Sequence, residues 1–254
     1  MPRLLAVLAL ALVPFSAPAT AQERTGITVT LGLGARLAPD YFGASDRSLG
    51  PTGSFSVNEL VLPGGLGFGT RDARPLEPGF GFRGGFRYIG SRSASSNPEL
   101  AGLDRIGSAV ELGGGLTHVT EFSRVFAEIR RGFGGHRGWV GEVGADAVLR
   151  PAPGLVLTAG PRALWGDRRF TRTYFGVTPA ESLASGLAAY APSSGLVSVG
   201  AEIAALYDFG NGWGMQGALT WDRLRSQTAA SPITRSRNQY GARLVLTRRF
   251  TLGN

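Results

Sequence analysis

Eleven ionisable residues stand out by where they fall. Arg83, Arg87, Glu111, Glu128, Arg130, Glu142, Asp146, Arg162, Glu202, Asp222 and Arg243 lie in short segments whose alternate positions are apolar, and each shares its parity with small or polar neighbours. Both signs are present, so the chemistry on offer is ion pairing between arginine forks and carboxylates on neighbouring strands. If the face that carries them is enclosed, every charge needs a partner.

Catalysis has poorer material. The chain has two histidines and no cysteine. His118-Val119-Thr120 with Ser123 is the nearest approach to a His/hydroxyl pair, but a strand sets residues two apart side by side whatever their role. His118 lies on the apolar parity near one end of its strand, and His136 sits in the glycine-rich turn Gly134–Gly138 as a loop residue. Two histidines and no thiolate give zinc few ligands. The run Gly64-Gly65-Leu66-Gly67-Phe68-Gly69 lacks the Lys-Ser/Thr ending and the following helix of a phosphate cradle, and is better explained as packing glycine in a strand. No catalytic residue, metal site or cofactor is expected.

The elements that carry the charges are strands. Leu244 and Leu246, with Tyr240 and Phe250 at the two ends, oppose Gln239, Gly241, Arg243, Thr247 and Arg249, a ladder long enough to cross a bilayer. The same alternation marks Ile27–Leu37, Phe80–Ile89, Val110–Thr117, Val125–Arg130, Trp139–Arg150, Leu155–Trp165, Val197–Asp208 and Trp213–Asp222. Leu49–Val57 and Leu60–Thr70 are weaker, with Pro51 and Pro63 inside them. Eleven strands are visible. Single-chain bacterial barrels have even numbers, so one N-terminal strand is misassigned, and twelve is favoured over ten.

Alternation alone fits a lipocalin or a sandwich equally well. The distribution of charge decides, because a lipocalin would enclose its apolar face, whereas here the charged residues share the small, glycine-rich one. The expected fold is all-β: a transmembrane antiparallel up-and-down barrel with apolar residues facing lipid and a narrow, ion-paired lumen. Connections alternate short and long. Phe209–Asn211, Pro151–Gly154 and Glu121–Ser123 would be periplasmic turns, and 226–237, 166–195 and 134–138 extracellular loops. Thr178-Pro179-Ala180-Glu181 is a capping-box signature for a short helix in the longest loop. Ala180, Leu183, Ala184 and Leu187 would pack it over the rim or lumen, or offer a contact surface.

Met1-Pro2-Arg3, the apolar run Leu4–Val13 and the small residues up to Ala21 have the form of a secretory signal peptide cut after Ala21, leaving residues 22–254 as one barrel domain. No later segment has 18 unbroken apolar residues, so no transmembrane helix is expected. Without cysteine, no disulfide framework supports the chain. The 39 glycines suit strands whose inner faces must stay small. All 26 basic residues are arginine and the net charge is +8. Girdle and lumen positions account for that, with attraction to anionic lipid head groups or acidic solutes as the functional reading. Nucleic acid is a poor fit, because no basic helix or aromatic platform accompanies the charge.

Short blocks beside the strands resemble a known family. Gly32-Leu33-Gly34 with Pro39-Asp40-Tyr41-Phe42-Gly43-Ala44-Ser45-Asp46 is similar to the N-terminal signature of the MltA-interacting protein (MipA)/OmpV family. So are Tyr174-Phe175-Gly176-Val177-Thr178, Ser185-Gly186-Leu187 with Tyr190, Ser231-Pro232-Ile233, Arg237-Asn238-Gln239 and Gly134-Gly135-His136. Gln239, Gly241, Leu244 and Leu246 resemble the C-terminal signal read by the barrel assembly machinery, although Thr251–Asn254 extends past the usual terminal aromatic.

The resemblance implies a bacterial outer-membrane barrel without catalytic residues. It also implies scaffolding between a lytic transglycosylase and a peptidoglycan synthase at the periplasmic side, while other members are described as porin-like or adhesion-related. The expectation is therefore a non-enzymatic scaffold, with a narrow channel or solute binder as the alternative and a lipid-modifying enzyme as a minor third. Asp40, Tyr41, Tyr174, Phe175, Thr178 and Glu181 are the candidate loop contacts.

Overall fold

A computed structural model describes residues 25–63, 67–69 and 76–253. The expected signal peptide and part of the glycine run at 64–69 lie outside them. The strands are β1 (Gly26–Pro39), β2 (Arg47–Val61), β3 (Gly67–Gly69), β4 (Gly79–Ile89), β5 (Ala109–Val119), β6 (Ser123–Gly134), β7 (Trp139–Ala152), β8 (Leu155–Gly166), β9 (Gly195–Asp208), β10 (Trp213–Leu224) and β11 (Asn238–Gly253). Each strand pairs antiparallel with its neighbour, and β1 pairs with both β2 and β11, which closes the ring. The barrel has ten strands, because β3 hangs on the end of β2 and takes no place in the ring.

Ten is thus the count, the lower of the two expected. Of the two weak N-terminal segments, Leu49–Val57 and the first residues of Leu60–Thr70 form one strand, Arg47–Val61. Pro51 stands in it opposite Ala35 of β1. Among the described residues the other flank of β2 makes a single ladder pair with β4, and a proline is tolerated where a strand flank carries no ladder.

The C-terminal tail belongs to the wall. Thr251, Leu252 and Gly253 continue β11 past Phe250 and pair with Thr28, Ile27 and Gly26, so the two chain ends close the barrel together. A closed ring is one of the two ways to satisfy every backbone amide inside hydrocarbon.

The outer face is apolar: Leu33 is 76 % exposed and Leu116 60 %. Trp139, Trp165, Trp221 and Tyr240 stand outward near one rim, and Tyr207, Trp213 and Phe250 near the other, as interfacial girdles do. The rim holding both chain ends has the short turns at 120–122, 153–154 and 209–212, with left-handed Gly154 and Gly212. It also carries the longer connection 62–78. At the opposite rim lie the long loops and the helices α1 (Arg168–Phe175), α2 (Pro179–Ser185) and α3 (Ser226–Ala229).

With no solvent to hydrate it, a charge on the outer belt should destabilise sharply. Leu116→Arg is expected to lower stability by about 2–4 kcal/mol in urea unfolding from liposomes, whereas Leu116→Ile at the same site should move it by less than about 1.5 kcal/mol.

Candidate functional site

The eleven sequence-selected charges all project into the barrel, and ten of them join ion pairs. Glu111 is fully buried at the top of β5. Arg87 grips it with both prongs, Nε at 2.8 Å and Nη2 at 2.6 Å. Arg130 Nε reaches it at 3.0 Å. Arg130 also pairs with Glu128 and, at 2.9 Å, with Glu142. Arg83 Nε closes this branch on Glu128 at 2.5 Å.

A second branch runs along the neighbouring strands. Arg124 meets Asp146 at 2.6 Å, Arg162 bridges Asp146 at 2.9 Å and Glu202 at 3.2 Å, and Arg243 meets Glu202 at 2.7 Å. Asp222 stands apart, accepting from the Ser198 hydroxyl at 3.3 Å.

Phe126 joins the branches. It is an aromatic on the inner parity, 6 % exposed, with the guanidinium carbons of Arg83, Arg162 and Arg124 at 4.3, 5.1 and 5.4 Å from its ring centroid. Desolvated cation–π contacts of this kind hold the forks flat. Gly144 makes room for the ring: a Cβ there would lie 2.5 Å from Phe126 Cε1. Six arginines of the two branches thus face Glu111, Glu128, Glu142, Asp146, Glu202 and Asp222, a balanced set rather than a field of one sign.

The long loops fold into a cap. Phe42, Phe170 and Tyr174 pack edge to face, with centroids 5.0–5.5 Å apart. Asp167 caps α1 by accepting from Phe170 N at 2.8 Å. Ser231 donates to the Phe175 carbonyl at 2.7 Å and Arg92 to the Tyr174 carbonyl at 3.0 Å, so three separate loops are tied together. A second apolar cluster of Tyr41, Ala44, Leu100, Leu103, Val177 and Ile233 lies beside it.

His136 couples the cap to the wall network. It is 2 % exposed, packs edge to face on Phe170 and Tyr174, and its Nε2 lies 3.1 Å from Glu111 Oε1. Gly132 gives it space, since a Cβ there would be 2.2 Å from His136 Cε1. It is a loop residue, as expected, but one turned into the lumen. His118 faces outward and stacks on Phe80 at 4.3 Å. Among the described residues neither imidazole meets a hydroxyl, so the His/hydroxyl arrangement does not form.

Three candidate loop contacts need correction. Tyr41, Tyr174 and Phe175 are 5 %, 2 % and 0 % exposed, so they hold the cap together and offer no surface to a partner. Burial and neighbouring Glu99, to which it donates at 3.1 Å, push the Tyr41 phenol up to about 12. Asp40 accepts from Asn97 at 3.3 Å inside the same assembly. Thr178 and Glu181 form the expected capping box of α2, and Glu181 also accepts from Asp104 N at 3.0 Å.

The expected apolar face of α2 does not bury: Leu183 is 90 % exposed. The packed helix is α1, which has no apolar repeat of comparable clarity. Arg124 and Phe126 also escaped sequence reading, although they share the parity of Glu128 and Arg130, and the inward turn of His136 was not foreseen. Below the cap a cavity of about 710 Å³ runs down to the opposite rim, lined by Arg36, Arg87, Tyr174, Glu142, Glu202 and Asp208 among others.

A closed antiparallel barrel with a lipid-facing apolar belt, a polar ion-paired interior and its long loops at one rim is an outer-membrane β-barrel protein. The model of the MltA-interacting protein MipA family matches residues 31–250, and the chain belongs to that family. No curated protein matches the sequence. Among solved structures it is similar to an outer-membrane channel from Pseudomonas putida F1, with 11 % identity over 92 % of this chain and 100 % of that one at a TM-score of 0.45. It is also similar to Neisserial surface protein A, with 7 % identity over 88 % and 95 % of the two chains at a TM-score of 0.30.

Two variants test the site. Glu111→Gln strips the shared partner from Arg87 and Arg130 and should cost about 3–5 kcal/mol in urea unfolding, while Asp222→Asn, outside the ion pairs, should cost no more than about 1.5 kcal/mol. For α2, hydrogen bonds to Glu181 hold its carboxyl below the usual range. The stabilisation is therefore present above that range and lost as pH falls through the depressed value. Protection of the α2 amides from exchange, relative to the unstructured chain at the same pH, should fall in acid in the wild type, and Glu181→Ala should show the low protection already at neutral pH.

Proposed function

We propose that this protein is a non-catalytic outer-membrane scaffold whose periplasmic rim docks a murein-remodelling enzyme, a lytic transglycosylase first and a peptidoglycan synthase with it. The observation that carries the reading is the state of the lumen: most of its charges are held in ion pairs and its extracellular mouth is filled by the packed cap. A diffusion channel needs a continuous polar path and a field that selects ions. Here Arg83, Arg87, Arg130, Glu142, Asp146 and Arg243 are each engaged in an ion pair, which ranks the narrow-channel alternative second. The family name, MltA-interacting protein, supports a transglycosylase as the partner class.

The periplasmic rim offers a surface for that partner. Phe122 is 70 % exposed and Phe80 82 % exposed at neighbouring turns. Arg150 ties this region together by donating to the Glu121 carbonyl and, at 2.6 Å, to the Leu76 carbonyl, so Leu76 is pinned to the β5–β6 turn. On this reading residues 1–21 direct export, the barrel assembly machinery inserts residues 22–254, and outer-membrane lipid surrounds the belt.

In planar bilayers the purified protein should insert without steady conductance. In nanodiscs it should retain a purified lytic transglycosylase, and Phe122→Asp should weaken that retention at least tenfold while leaving heat-modifiable migration unchanged. Stable ion-selective channels, or loss of retention from cap variants but not from Phe122→Asp, would reverse the ranking.

A further inference from the structure

We propose that the seam between β2 and β4 is a lateral gate through which a bilayer amphiphile with an anionic head group reaches the lumen. The inference stands whether or not the rim docks a murein enzyme, because it concerns the wall.

The seam is the weak point of the ring. β4 pairs with β5 along its whole length, from Gly79 to Ile89, but among the described residues it meets β2 in one ladder pair, Ser56 with Arg83. Nearer the periplasmic rim, β2 turns its flank to β3 instead, pairing Glu59–Val61 with Gly67–Gly69. Backbone groups left outside a ladder at membrane depth are costly in hydrocarbon and are tolerated where they line a cavity that admits water.

The cavity reaches these strands on both sides. It is lined by every residue from Thr52 to Asn58 and by Phe80 to Gly84, inward and outward parities alike. Along an intact wall only the inward parity would line a lumen. From β5 to β8, by contrast, only inward residues such as Thr117, Glu128, Glu142 and Thr158 line it.

Aromatic rings laid on glycines occupy the seam where a ladder would be. A Cβ on Gly84 would stand 2.0 Å from Phe55 Cδ1, and one on Gly53 would stand 3.3 Å from Phe86 Cε1. Phe55 and Phe86 are 38 % and 37 % exposed on the lipid side. Displacing such a ring breaks no backbone hydrogen bond, so the seam parts more readily than any fully laddered pair.

The inner side of the seam selects the head group. Arg36 on β1, Arg83 and Arg87 line the cavity there. Arg83 and Arg87 are held by Glu128 and Glu111, but Arg36 has no carboxylate partner among the described residues. Tyr174 supplies a second unused donor: its hydroxyl is buried without a hydrogen-bond partner and lines the same cavity. Arg36 and Tyr174 are both electrostatic neighbours of Arg87. A guanidinium and a phenol inside, with aromatic rings toward lipid, match a carboxylate or phosphate head carrying an apolar chain.

The test uses the full barrel in zwitterionic lipid nanodiscs with a spin-labelled stearate, read by electron paramagnetic resonance. The chain has no native cysteine, so Ser56→Cys/Arg83→Cys can form one disulfide across the ladder pair. Wild type should show a slow, immobilised stearate population. The methyl ester and Arg36→Gln should each reduce it at least fivefold. The oxidised double variant should take up the label at least tenfold more slowly than its own reduced form, and Phe55→Ala should take it up faster than wild type.

Equal uptake by oxidised and reduced forms, with no change in Phe55→Ala, would overturn the gate. An immobilised signal indifferent to Arg36→Gln and to the methyl ester would be ordinary boundary lipid and would overturn the head-group site. Water-soluble octanoate displacing the label equally well with the seam locked would show that the head is reached along the barrel axis, and would also overturn lateral passage.

Discussion

Hydrocarbon leaves no water for an unpaired amide, and most of what this chain does follows from meeting that constraint. The ring must close, so the first strand returns to the last and the C-terminal tail is drawn into the ladder as far as Gly253. Closure encloses a small interior, and the alternation that faces leucine and isoleucine to lipid sends every second residue inward. Residues such as Gly113 and Gly144 are then fixed by what must fit across from them.

Once the interior is enclosed, charges inside it cannot stay single. The two branches around Phe126 answer that need, and through His136 the solution extends beyond the wall. Glu111 is shared by two arginines of the wall and by an imidazole whose ring is part of the cap. The cap is therefore not a set of loops resting on a finished barrel. Its aromatic cluster stacks against the same histidine that completes the coordination of the most buried carboxylate, so mouth and lumen are one packed unit.

How much of this was legible in the sequence depends on whether a signal is local. Parity is local, so the strands, the inward charges and the short turns could be read directly. The capping box at Thr178–Glu181 is also local and was found, yet α2 turned out to lie outside the packed cap, with Leu183 in solvent. α1 was missed because Phe170, Tyr174 and Phe175 are buried by Phe42 and His136 from distant loops, a contact that no window of α1 contains. The N-terminal count stayed open between ten and twelve for a related reason: Pro51 argues against a strand unless one knows that its flank makes hardly any ladder. Arg124 and Phe126 were readable from parity but lay too close to a turn to be assigned to it.

The same demand for closure makes the β2–β4 seam conspicuous. If stability were the only demand on the wall, the ladder would be complete all the way round. Instead, among the described residues, the ladder thins to one pair where Phe55 and Phe86 lie over glycines, and Arg36, which lines the cavity behind that seam, makes no ion pair. Placing an unpaired cation next to the least-paired wall adds two costs at one location. Stability does not explain that coincidence, since Glu59 or Asp222 on the same inward face shows that carboxylates are available to a wall of this composition. A role for the opening, in which an anionic head completes Arg36 while its chain stays in lipid, accounts for both costs together.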